Sequence, residues 1–214
     1  GSWGSTLSLL YAQAHPDKVS GMVLRGIFLC RRADIDWFYQ FGASAIFPDY
    51  WREFIAPIKA SERGDMLSAY HRHLTGPDEL DRARAAKAWS VWEARCATLH
   101  PNHHLVDHLS NSHVALAMAR IEAHYFINQC FVEPDQILEN THRLKDIPAI
   151  AVHGRYDVVC PIKQAFDLQA AWPDLTLEII RDAGHASSEP GTIDALVKAT
   201  DDMASIINNR RADR

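Results

Sequence analysis

The sequence predicts an α/β fold, a mostly parallel sheet with flanking helices, split by a long all-helical insertion. Three observations predict it. Short, nearly continuous apolar runs occur near both ends of the chain, at residues 19–26, 147–154 and 175–180, and such runs suit strands buried on both faces of a parallel sheet. Helical periodicity alternates with these runs from about residue 143 onward. Between the first run and the second lies mostly helical pattern. The expected division is residues 1–30 and 143–214 as one part of the α/β domain and residues 31–142 as a helical cap.

Each element has a local cause. Residues 4–16 place Leu7, Leu10, Tyr11 and Ala14 at helical spacing, and Pro16 stops the helix. Residues 19–26 form the first buried strand. The insertion carries helical periodicity over 36–40, 49–54, 64–74, 78–99 and 112–129, punctuated by Pro48, Pro57, Gly76-Pro77 and Pro101-Asn102. Residues 147–154 and 175–180 give two further strands. An amphipathic stretch, 193–207, ends the pattern.

The chemistry lies at the ends of these elements. Gly1-Ser2-Trp3-Gly4 matches the last four positions of a G-x-S-x-G nucleophile elbow, which seats a serine on a sharp strand-to-helix turn. The glycines are expected to be needed because a Cβ would clash there. Gly-Ser alone can be an expression remnant, but Trp3-Gly4-Ser5 and the helix after it continue the pattern. Asp157 follows the second strand and His185 follows the third, where ligand sites of open α/β sheets lie. Their order, Ser then Asp then His, is that of α/β-hydrolases. Taken singly, Asp157 is equally a turn residue and His185 a loop histidine.

A serine hydroxyl is a weak nucleophile until an imidazole takes its proton. His185 is the expected base, Asp157 the group that orients it, and the Trp3 backbone N–H one oxyanion donor. This mechanism needs no cofactor, because every reacting group is a protein group. A net charge of -5, without basic runs, disfavours nucleic acid. No apolar stretch approaches the roughly 20 residues of a membrane span. Cys30, Cys96, Cys130 and Cys160 are widely spaced, which suits reduced thiols in a cytoplasm. His71, His73, His103, His104 and His108 match no metal-binding motif, and no metal is expected.

Beyond these landmarks the sequence resembles the proline iminopeptidase family of α/β-hydrolases over nearly all of its length. The resemblance rests on Gly1-Ser2-Trp3-Gly4-Ser5-Thr6-Leu7, Leu24-Arg25-Gly26-Ile27-Phe28-Leu29, Trp37-Phe38-Tyr39-Gln40, Ile46-Phe47-Pro48-Asp49, Ala86-Lys87-Ala88-Trp89-Ser90-Val91-Trp92-Glu93, Ala119-Arg120-Ile121-Glu122-Ala123-His124-Tyr125-Phe126 and Val152-His153-Gly154-Arg155-Tyr156-Asp157-Val158-Val159-Cys160-Pro161. It implies a serine aminopeptidase that releases N-terminal proline from peptides, with Ser2, Asp157 and His185 in the roles above. It also implies a cap that closes over the serine and excludes water.

The same resemblance assigns Glu93 and Glu122 to the substrate's free amino terminus and Phe28 and Tyr39 to the pyrrolidine ring. A buried ammonium needs a compensating charge and an imino ring packs well on flat aromatic surface. Solvated helix glutamates and core aromatics are the plain alternatives. Cys160, three residues past Asp157, is expected to lie near the site, where a thiol reagent bound to it blocks access, and not to be a nucleophile. In the family roughly a hundred residues precede the elbow, including the loop that gives the second oxyanion donor. The chain as written is therefore expected to be an incomplete, inactive or weakly active fragment. Another capped hydrolase, such as an esterase or broader aminopeptidase, and a noncatalytic remnant are the alternative readings. The sequence leaves oligomeric state open.

Overall fold

The computed structural model describes residues 1–212. Helix α1 (Trp3–Ala14) leads through a 3-10 turn at Pro16–Lys18 to strand β1 (Met22–Arg25). A run of helices follows: α2 (Arg32–Tyr39), α3 (Ala43–Ile46), α4 (Pro48–Ile55), α5 (Met66–Thr75), α6 (Glu79–Cys96), α7 (His103–Leu109) and α8 (Ser112–Ile127). The chain then returns through α9 (Gln136–Glu139), β2 (Ala149–Gly154), α10 (Lys163–Ala171), β3 (Thr176–Ile180) and α11 (Pro190–Ala212). These elements form two compact units, one of Gly1–Leu29 with Pro134–Arg214, the other of Cys30–Glu133.

The first unit is an α/β sandwich. Its strands pair in parallel in the order β1-β2-β3, with Met22 opposite Ala149 and Ile150 opposite Thr176. Every residue of β2 is buried, as expected for a strand with neighbours on both edges and helices on both faces. On one face Leu9 and Ala12 of α1, Leu24 of β1, Ala151 of β2, and Ala165 and Leu168 of α10 make a shared core. On the other face Ile150, Val152 and Ile180 pack with Ala195, Ala199 and Met203 of α11. Residues 134–142, expected in the cap, belong to this α/β unit. The reason is apolar: Ile137 and Leu144 are buried in the α1 and α10 core, and Gln13 of α1 donates to the Ile137 carbonyl at 2.7 Å.

The second unit is entirely helical among the described residues. Helices α5 to α8 begin where side chains cap them: Asp65 accepts from the Ser68 N–H, Asp78 from the Leu80 and Asp81 amides, Asn102 from Leu105 and Asn111 from His113. Asp65 as the cap also explains why α5 starts at Met66 and not at Gly64. The core is aromatic. Trp89, Trp92, Tyr70 and Phe54 are among the largest fully buried side chains, with Phe54 stacked on Tyr70 at 4.6 Å between centroids. Helix α8 stops at Ile127, two residues before the expected end, because Gln129, Cys130 and Phe131 turn left-handed at φ 53, 56 and 57°. Such a run cannot continue a right-handed helix.

Candidate active site

Three strand and helix ends converge in the α/β unit. Ser2 precedes the first residue of α1 and holds φ 54°, ψ -126°, a conformation that non-glycine residues rarely adopt and that marks the elbow. Its N–H donates to the Arg25 and Gly26 carbonyls at 3.0 and 3.1 Å, which anchors the turn to the exit of β1. The carbonyl of Ser2 accepts from the Ser5 hydroxyl at 2.6 Å and from the Ser5 N–H at 2.8 Å. Helix α1 thus begins at the serine, which sits at the partial positive end of the helix. Trp3 opens that helix.

Of the two flanking glycines, only one lies where a side chain would collide. A Cβ on Gly1 would come within 2.4 Å of the Arg25 guanidinium, whereas one on Gly4 would meet nothing within 4 Å. The expectation of a clash at Gly4 is therefore corrected. Gly4 sits in the first turn of α1 with open space beside it, and only its helix propensity, not crowding, distinguishes it from alanine.

Asp157 and His185 meet as the sequence order suggests. His185 Nδ1 lies 2.7 Å from Asp157 Oδ2, and the carboxylate side chain is fully buried. The other oxygen, Oδ1, accepts the Cys160 N–H at 2.8 Å. The loops that carry the pair are joined by backbone bonds, Arg155 N–H to the Ile180 carbonyl at 2.8 Å and Tyr156 N–H to the Ala183 carbonyl at 3.0 Å. At their closest approach a Cβ on Gly154 would stand 2.0 Å from the Gly184 carbonyl oxygen. Gly154→Ala is accordingly expected to cost about 3 kcal/mol of stability by forcing these backbones apart. Urea unfolding monitored by tryptophan fluorescence measures this, and an unchanged midpoint would show that the loops have room to move.

His185 does not hydrogen-bond Ser2 Oγ among the described residues. Its Nε2 instead lies 3.3 Å from Arg25 Nη1, which also donates to the His185 carbonyl at 2.9 Å. A guanidinium only donates, so Nε2 is the unprotonated nitrogen and Nδ1 carries the proton toward Asp157. That is the tautomer a general base for serine requires. Burial pushes the Arg25 guanidinium below its ordinary range, and the nearby Asp157 charge opposes this. The signal for Arg25 in the sequence was an arginine closing an otherwise apolar strand, Met22-Val23-Leu24-Arg25. Phe28 lies just beyond, buried, its N–H donating to Ser5 Oγ at 3.2 Å and its carbonyl accepting from Thr6 Oγ1 at 2.7 Å.

The helical unit brings the two glutamates into one polar cluster. Trp89 and Glu93 are four residues apart on α6 and so share a face. Trp89 Nε1 donates to Glu122 Oε2 at 2.7 Å, Glu122 being on α8. Tyr39 donates its hydroxyl to Glu93 Oε1 and stacks on Trp89 with centroids 4.2 Å apart. Desolvation pushes the Glu93 carboxyl up to about 7, against the lowering effect of the Tyr39 hydrogen bond. Desolvation, and then the neighbouring Glu93, raise Glu122 well above the usual carboxylate range. A buried carboxyl beside a second one is harder to ionise. The histidines lie elsewhere: His71 and His73 on α5, where His73 pairs with Asp81 and Glu62, and His103, His104 and His108 on α7. No helix of the described residues is long and apolar enough to cross a membrane.

Comparison with known proteins fits this geometry. The alpha/beta hydrolase fold family matches residues 1–192. The chain is 53% identical to a proline iminopeptidase of Xylella fastidiosa over 202 residues, 94% of this chain and 64% of that protein. It is 52% identical to a proline iminopeptidase of Xanthomonas citri over 205 residues, covering 66% of that protein, and 48% identical to one of Arabidopsis thaliana, covering 55%. The chain thus spans less than two thirds of the length of these curated relatives. Among solved structures, one from a study of Nitrososphaera gargenis carboxylesterases aligns with 98% of this chain and 64% of its own, at a TM-score of 0.54 and 12% identity. That likeness is one of fold.

Proposed function

The chain belongs to the alpha/beta hydrolase fold family, and on that premise we propose that it is the larger part of a serine aminopeptidase that releases proline from the amino terminus of peptides. The observation that carries the reading is the His185–Asp157 pair, 2.7 Å apart and fixed in the base-competent tautomer, in the same unit as a serine at positive φ. In this reaction Ser2 attacks the prolyl carbonyl, its proton passes to His185 Nε2, and Asp157 stabilises the imidazolium. Before that step Arg25 yields Nε2 to the serine hydroxyl. The amine leaves with the proton held by His185, and water releases proline from the acyl-enzyme by the reverse sequence of transfers. The Trp3 N–H at the head of α1 supports the oxyanion.

In this reading Glu93 and Glu122 receive the prolyl ammonium, supported by their burial, by the Glu93 charge acting on Glu122 and by donors from Tyr39 and Trp89. Phe28 and Tyr39 are assigned to the pyrrolidine ring. Relatives named proline iminopeptidase support the substrate class. The compartment we assign is the cytoplasm, in keeping with four cysteines widely spaced along the chain.

The test is hydrolysis of a prolyl chromogenic amide by the chain alone and by the chain joined to the N-terminal third of the Xylella fastidiosa relative. N-acetylprolyl amide and a p-nitrophenyl ester serve as comparisons. The reading expects cleavage of the free prolyl amide, at least in the joined form, and rejection of the acetylated one. Cleavage of the ester with no preference for a free amine would replace it with a general esterase. No cleavage of any substrate in a folded, joined protein would remove catalysis from the assignment.

A further inference from the structure

His153 is the one polar residue of the buried strand β2 before its closing Gly154, and its side chain is wholly buried. Both ring nitrogens are engaged by backbone. Nδ1 accepts the Ile27 N–H at 3.0 Å, so it carries no proton. Nε2 then carries the proton and lies 2.8 Å from the Cys160 carbonyl, which can only accept. The ring is neutral and held in one tautomer by the backbone of two other segments, the exit of β1 and the turn after Asp157.

The same Nε2–H faces the active-site carboxylate. It stands 3.4 Å from Asp157 Oδ2, the oxygen that holds His185. The Cys160 N–H binds Oδ1 while the Cys160 carbonyl binds His153, so both ends of one residue are clamped between the imidazole and the acid. We propose that His153 is a positioning residue of this site: a neutral imidazole that ties the Asp157–Cys160 turn to the Ile27–Phe28 segment and so fixes the orientation of the Asp157–His185 pair. The inference rests on the reading of Ser2, His185 and Asp157 as a catalytic trio and adds a fourth residue that touches neither substrate nor the reacting atoms.

The charged and titratable groups facing His153 are Asp157 and Cys160 from the turn after β2, His185 from the loop after β3, and Arg25 from β1. Burial in this setting pushes the imidazole below its ordinary range, Asp157 acting in the opposite sense. The ring therefore stays neutral. Losing the Nε2–H leaves the Asp157 carboxylate less stabilised by its surroundings and a stronger acceptor for the His185 Nδ1–H, whose proton resonance then moves downfield.

Nitrogen NMR of the wild-type chain tests the ground state directly. His153 is expected as a single neutral tautomer, protonated on Nε2, with no titration between pH 5 and 8. For function, His153→Leu removes both hydrogen bonds and His153→Asn keeps an acceptor within reach of Ile27. In the form of the protein that cleaves prolyl amide, His153→Leu is expected to lower kcat about 100-fold with little change in KM, His153→Asn about 10-fold, each with the His185 Nδ1–H resonance moved downfield. A His153 that titrates, or that carries its proton on Nδ1, overturns the proposal. So does a folded His153→Asn with unchanged kcat and an unchanged His185 Nδ1–H resonance. Should prolyl amide prove not to be a substrate at all, a downfield move of the His185 Nδ1–H resonance in His153→Asn still supports the positioning role, while the substrate reading falls by itself.

Discussion

Ser2→Ala is expected to lower kcat for prolyl amide about 10^6-fold, and Asp157→Asn about 10^4-fold, in whichever form of the protein is active. The serine loss removes the nucleophile outright. The asparagine effect has a specific cause in this structure. Asp157 Oδ1 must accept the Cys160 N–H, so an asparagine turns its carbonyl oxygen to Cys160 and its NH2 toward His185. The imidazole then has to accept at Nδ1 and carry its proton on Nε2. A protonated Nε2 cannot take the proton of Ser2, and it also opposes the Arg25 N–H now 3.3 Å away. Single-turnover kinetics with His185 nitrogen shifts measured in parallel check both halves. If Asp157→Asn kept wild-type kcat, the tautomer argument and the trio with it would be lost.

Glu93→Gln is expected to lower kcat/KM for prolyl amide about 100-fold, mainly through KM, while hydrolysis of a p-nitrophenyl ester is retained. A buried ammonium that loses a charged partner leaves its remaining hydrogen bonds uncompensated, which typically costs 2–5 kcal/mol, about 30- to 4000-fold. The pH dependence follows from the raised carboxyl. An ammonium binds the ionised Glu93 carboxylate, so KM of the wild type falls as pH rises through about 7. Tyr39→Phe removes a donor that favours the carboxylate and moves this fall to higher pH.

Stability runs the opposite way. The folded state keeps the Glu93 proton that the unfolded chain has released above 4.5. The stabilisation is complete below 4.5 and lost as pH rises to about 7, amounting to about 3 kcal/mol from this one group. Glu93→Gln should flatten that slope in urea unfolding. Equal loss of amide and ester cleavage, with no change in the pH dependence of KM or of stability, would place Glu93 outside substrate recognition.

Much of the α/β unit could be read in advance because its signals are local. The strands at β1, β2 and β3 are short apolar runs whose length and endings are set by nearest neighbours, and Asp157 and His185 follow directly at their exits. Helix starts were less legible than helix interiors. The start of α5 depends on whether Asp65 or an earlier residue provides the cap, which periodicity does not distinguish. The end of α8 depends on the φ angles of Gln129, Cys130 and Phe131, none of which is glycine. Arg25 and His153 were visible only as polar intruders in apolar runs. Their partners, His185 and Ile27 with Cys160, come from remote strands, and no spacing rule links them. The aromatic cluster around Trp89 was hidden for the same reason, since it joins residues of α2, α4, α5, α6 and α8 through packing alone.

The pairing of Met22 with Ala149 also sets an order for synthesis. Between those two residues lies the whole of the unit Cys30–Glu133, which is a single continuous stretch with its own core. A ribosome working at roughly 5–20 residues per second delivers that stretch over about 5 to 20 s before β2 emerges. During that interval β1 has no partner strand on the β2 side, whereas the helical unit already holds all of its own contacts. The helical unit is therefore able to mature on the nascent chain before β1 gains that partner. Ser2 precedes the helical unit in the chain, and the Asp157–His185 pair follows it.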